Sequence, residues 1–134
     1  MAGEVLSRGL REGHAFVEQA VRGRVDAPPA TRLRVAIEAH LVALHHLSDY
    51  AGVIAQSVAD RTRDSGGEVP DLERRYGGMW LGLLADARYA GALDPGLDLR
   101  LVRDLLFGAM NAEPLRGRRP EDAADALAVL IGLS

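Results

Sequence analysis

Apolar residues along this chain recur at three- and four-residue steps, the period of an α-helix, and the pattern predicts six helical segments. Residues 3–24 carry Leu6, Leu10, Gly13, His14, Val17 and Val21 on one stripe, and Pro28-Pro29 is expected to break the chain out of helix there. Thr31 supplies an N-cap for a second helix striped by Leu33, Ile37, His40, Leu41, Leu44 and Leu47. Ser48 can cap a shorter third helix holding Tyr50, Ile54 and Val58, and residues 62–70, with their glycines and proline, predict a surface loop.

The clearest pattern lies between Leu72 and Asn111. Leu72, Tyr76, Met79, Trp80, Leu83, Leu84 and Ala87 form one continuous stripe of a fourth helix. Gly91 is placed for a left-handed cap, and Asp94-Pro95-Gly96 marks a turn before the next start. The fifth helix is apolar on two adjacent flanks, Leu101, Leu105 and Gly108 on one and Val102, Leu106 and Ala109 on the other. A single core cannot easily cover both. Pro120 followed by Glu121 and Asp122 starts a sixth helix, because proline suits the first helical position and acids suit the positive end of the dipole. Its small and apolar residues, Ala123, Ala124, Ala126, Leu127, Leu130 and Ile131, allow close helix approach. A homodimer through the last two helices follows as an expectation, with Val102, Leu106, Ala109, Ala123, Ala124, Leu127, Leu130 and Ile131 at its four-helix interface.

Length and composition narrow this to one all-α domain spanning residues 1–134. Hydrophobic content of 48% with 26% charged is globular, and no apolar run reaches the roughly 18 residues of a membrane span. The amino terminus lacks the apolar segment of a secretory signal, and the absence of cysteine suits a reducing compartment, so the chain is expected in the cytoplasm without membrane contact. All 16 basic residues are arginine. A net charge of −3 argues against nucleic-acid binding by this chain alone, since such domains carry a positive excess that displaces counterions from phosphates.

Candidate chemistry centres on histidine. His14 and His40 both fall within apolar stripes and point inward, whereas His45 and His46 fall largely off the stripe and are expected to be solvated. Each inward imidazole reads as a buried group satisfied by backbone or water, or as a ligand contact; two histidines are too few donors for a metal, and none is expected. Glu12-x-His14 and Glu38-x-His40 do not form paired donors, because a two-residue step turns about 200° around a helix. No nucleophile elbow, phosphate loop, dinucleotide fingerprint or cysteine nucleophile is present, so neither catalysis nor a cofactor is expected. Gly77, Gly78 and Gly82 interrupt the fourth helix at about 1 kcal/mol each, and either close helix packing or a cavity would account for them.

The run from Gly91 to Asn111, with its Leu-Asp-Pro, its Leu97-Asp98-Leu99-Arg100-Leu101 and its closing Gly108-Ala109-Met110-Asn111, resembles the C-terminal domain of TetR-family transcriptional regulators. Arg32, Leu33, His40, Leu41 and Asp49-Tyr50-Ala51 stand where that family has similar residues, so the resemblance extends over roughly residues 6–133. Two departures are expected from that resemblance: Ala112-Glu113-Pro114 replaces aromatic residues common in relatives, and the family's helix-turn-helix is expected to be lacking before residue 5. The resemblance implies an effector-sensing and dimerising domain without its DNA-reading part. It also implies that the inward stripes line a pocket for a small apolar or amphipathic molecule, walled by Leu10, His14, Ile37, His40, Leu44, Ile54, Met79, Trp80, Leu83 and Met110. The alternative is a stand-alone helical interaction protein that homodimerises, or pairs with a full-length regulator, without a ligand.

Overall fold

The computed structural model describes residues 2–47, 50–52, 68–112 and 117–134, with side chains from Ser7 onward. Helix α1 spans Ala2–Arg22, α2 Pro29–His46, α3 Glu68–Tyr89, α4 Leu99–Ala112 and α5 Pro120–Leu130. Residues 50–52 are also helical, at the start of the predicted third segment. No strand occurs among the described residues, and the architecture is an all-α bundle.

Helix α2 is the pillar. It packs against α1, α3, α4 and α5, and its buried residues, Leu33, Ala36, Ile37, Ala39, His40, Leu41, Ala43 and Leu44, spread around much of its circumference. A helix covered on several sides loses the one-faced contrast of a surface helix. Burial of Leu33, Ile37 and Leu41, each with no exposed surface, contributes roughly 2 kcal/mol apiece. The main core joins α2 to Trp80, Leu83 and Leu84 of α3, Val102, Leu106 and Met110 of α4, and Ala123 and Ala124 of α5. A second cluster, Leu10, Ala43, Leu44 and Tyr50, closes the other end of α1 and α2.

The helix ends follow local chemistry, with two differences from expectation. Pro29 opens α2 after an extended Pro28, whose carbonyl accepts from the Arg32 N–H; Thr31 lies inside the first turn and is not the cap. The proline pair starts this helix because its missing N–H is not needed at the first position. Helix α3 begins at Glu68, so Glu68, Val69 and Pro70 belong to it and not to the expected loop. Residues 62–67, and the predicted third-helix positions Ser48, Ile54 and Val58, lie outside the described residues.

Gly91 adopts φ +81°, and the Ala92 N–H returns to the Ala87 carbonyl, so α3 ends in the left-handed cap its sequence predicts. Gly132, at φ +75°, ends α5 in the same way, with the Leu133 N–H donating to Ala128. Asp94 then accepts from the Gly96 N–H at 2.8 Å, and Asp98 caps α4 by accepting from Arg100 and Leu101. The carboxy terminus is tied back to this turn, where the Ser134 N–H donates to the Ala92 carbonyl at 3.0 Å.

Candidate functional site

Four helices converge on a polar centre inside the bundle. His40 of α2 is fully enclosed, and both its ring nitrogens are engaged by side chains distant in sequence. Nδ1 lies 2.7 Å from the Tyr76 hydroxyl of α3, and Nε2 lies 2.8 Å from Asn111 Oδ1 of α4. An amide oxygen only accepts, so with Asn111 in this orientation Nε2 carries the proton and donates to it. Nδ1 is therefore the acceptor for the Tyr76 O–H. The Tyr50 hydroxyl stands 3.5 Å from the same Nδ1 and couples to Tyr76.

Aromatic rings surround these hydrogen bonds. His14 of α1 stacks on Tyr76 with ring centres 3.9 Å apart and planes 4° apart, and Tyr50 meets both histidines edge-on. Trp80 stands perpendicular to His40, Tyr76 and Phe107. The Tyr50 ring lies against the bare backbone of Gly13, where a Cβ would come within 2.1–2.4 Å of it. That close approach is what glycine permits at this point of α1.

The centre is electrically neutral at ordinary pH. Burial, reinforced by the charge of His40, lowers the pKa of His14 to about 4, and burial lowers that of His40 to about 4 despite the opposing effect of its hydrogen bond to Asn111. Burial likewise raises both Tyr50 and Tyr76 above the usual phenol value. Among the described residues of the centre one buried donor lacks a partner: the Trp80 indole N–H approaches Tyr76 closely enough to influence its titration but meets no acceptor at hydrogen-bonding geometry.

A half-open groove of about 240 Å3 lies between α1 and α3, lined by Arg11, His14, Ala15, Glu18, Leu72 and Arg75. His14 belongs both to this groove and to the buried centre, so it links solvent to the network. No group of three or more metal-binding side chains occurs among the described residues. Nor is any of their helices long and apolar enough to cross a membrane.

The tetracyclin repressor-like, C-terminal domain family matches residues 26–114 of the chain. The chain belongs to that family. No curated protein matches it. As a TetR-family C-terminal domain it is regulatory in kind, of the sort that binds effectors and dimerises. The match begins after α1 and ends before α5, a narrower span than residues 6–133.

Within this TetR-family bundle the residues expected to wall a pocket separate into three sets. His14, His40 and Trp80 meet in the aromatic centre. Ile37, Leu83 and Met110 belong to the main core, with Met79 packed half-buried against it, and Leu10 and Leu44 belong to the second cluster. Ile54 lies outside the described residues. The centre also recruits Tyr50, Tyr76, Phe107 and Asn111, which were not expected as site residues. The signal for Tyr76 was its place one turn before Trp80 on the same stripe.

Three further expectations change. Val102, Leu106, Ala123 and Ala124 are buried in the core of the one chain, and Ala109, Leu127 and Ile131 are half-buried, the last two packed against that core. Of the residues placed at a dimer interface only Leu130 is exposed; on the last two helices the uncovered large apolar residues are Leu101 and Leu105 of α4 and Val129 and Leu130 of α5, with Phe16, Val25 and Tyr89 exposed elsewhere among the described residues. The two flanks of α4 thus divide, Val102 and Leu106 inward, Leu101 and Leu105 outward. His45 is half-buried rather than solvated, with Nε2 unpartnered among the described residues. Gly77 faces Arg103 of α4, which accounts for it by close packing, while Gly78 and Gly82 are exposed on α3, where a Cβ would meet nothing among the described residues.

Proposed function

We propose that this chain is the effector-sensing and dimerisation part of a TetR-family transcriptional regulator, acting in the cytoplasm, with its small-molecule site at the His40 centre. The observation that carries the reading is the chain of polar contacts from Tyr50 and Tyr76 through His40 to Asn111, closed by Trp80, at the meeting point of α2, α3 and α4. Polar groups in a bundle core contribute less than hydrocarbon packing unless every partner is present, so a network there specifies geometry more than stability. A molecule that inserts beside Tyr76 must rearrange contacts shared by these helices. That couples occupancy to helix placement, a population shift between two packings.

Entry from the α1–α3 groove past His14 would bring an apolar or amphipathic molecule directly onto Tyr76. The apolar surroundings supply affinity through buried area at roughly 25 cal/mol per Å2, and the network orients one polar atom. Dimerisation is assigned to the exposed leucines of α4 and α5, Leu101, Leu105 and Leu130. The experiment is a thermal-shift screen of the purified chain against a library of small apolar and amphipathic compounds. Saturable increases in Tm are expected, as binding to the native state alone requires. A flat response across the library would leave the second reading, an interaction module that pairs through those exposed leucines without a ligand.

A further inference from the structure

Among the described residues, the hydrogen-bonded chain through His40 leaves one buried donor beside it without an acceptor. Tyr76 donates to His40 Nδ1 and His40 Nε2 donates to Asn111 Oδ1, so these groups have partners of the right kind. The Trp80 indole N–H does not, although its side chain is completely buried and packs edge-on against the Tyr76 ring. A buried donor without an acceptor destabilises the fold, and whatever brings an acceptor to it recovers that loss. The complement of this remainder is an oxygen with a free lone pair.

Charge narrows the choice further. Among the described residues the centre brings together imidazole, phenol, amide and indole groups, and the negative charges of Glu18 and Glu73 act on its tyrosines. Arg11 and Arg75 stand at the groove, and Arg11 is already paired with Glu68. A carboxylate drawn inside would leave water for a site that offers no cation among the described residues and an adverse field. An ammonium group has nothing to accept from it at an N–H.

We propose that the effector carries an uncharged hydrogen-bond acceptor, a carbonyl or ether oxygen on an apolar body, which docks on the Trp80 indole N–H beside Tyr76. The inference rests on the sensor reading above and deepens it to a ligand class.

Three probes of nearly equal size separate the possibilities: 2-acetylnaphthalene with a neutral acceptor, 2-naphthoate with a charged one, and 2-ethylnaphthalene with none. Calorimetric titration of the intact chain is expected to show 2-acetylnaphthalene binding at least about tenfold more tightly than either of the others, the discrimination one buried hydrogen bond supplies. Trp80→Phe keeps an aromatic ring and removes the N–H, and should bring 2-acetylnaphthalene down to the level of 2-ethylnaphthalene. Because Trp80 is the only tryptophan, its indole N–H gives a single nuclear magnetic resonance signal in the unaltered protein. That signal should move downfield with 2-acetylnaphthalene and not with 2-ethylnaphthalene, a readout independent of whether the variant folds. Equal affinity for all three, tighter binding of 2-naphthoate, or an unmoved indole signal would overturn the acceptor proposal while leaving a sensor in place. Saturable binding of none of them would overturn the acceptor proposal, and a flat library screen besides would remove the sensor reading with it.

Discussion

His14 and His40 make the stability of this domain depend on pH in a defined direction. Both have pKa values lowered to about 4 by burial, against about 6.5 in an unfolded chain. As pH falls through 6.5 the unfolded chain takes up protons that the folded one refuses, so stability is full above that value and declines down to about pH 4. The loss is up to about 3 kcal/mol per histidine. His14→Phe retains a ring to stack on Tyr76 and should remove about half of that decline, as measured by urea unfolding at pH 7 and pH 4.5. An unchanged slope would show that His14 is not held neutral. Asn111→Ala leaves the His40 Nε2–H without its acceptor and should cost about 1–3 kcal/mol at pH 7. The inward pointing of both histidines was legible from helical period alone. The pairing of His40 with Asn111 was not, because 71 residues separate them and periodicity carries no information about which helix faces which.

At the level of single helices, glycine substitutions have opposite expected signs. Gly13→Ala would set a methyl group inside the Tyr50 ring, and the displacement should outweigh the gain of about 1 kcal/mol in helix propensity, giving net destabilisation of about 1–2 kcal/mol. Gly78→Ala and Gly82→Ala meet only open space and should each stabilise the folded chain by about 1 kcal/mol. Thermal unfolding of the three variants checks both signs; a stabilised Gly13→Ala would show that Tyr50 does not press on α1. Most helices were legible from their stripes, and Gly91 and Pro120 marked their ends correctly. The start of α2 was not, since Pro28-Pro29 serves equally as a break or as a first turn. On α4 the wheel shows two apolar flanks but cannot say which one α2 and α3 will cover.

For the molecule as a whole, that division of flanks makes the dimer expectation specific. Leu101→Glu with Leu105→Glu changes residues 55% and 64% exposed, so the fold should survive while association is lost. Light scattering should then give the monomer mass, whereas a dimer mass in the double variant would move the interface elsewhere. Leu127→Glu, by contrast, strikes a side chain packed on the core and should unfold the chain rather than merely separate copies. Sensing is tested most directly by the emission of Trp80, the sole tryptophan, buried at the polar centre. Titrating the chain with a compound that raises its Tm should quench or shift that emission saturably, with a midpoint matching the thermal shift. A compound that stabilises the protein while Trp80 emission stays unchanged would place the effector elsewhere and contradict the assignment of the site to the His40 centre.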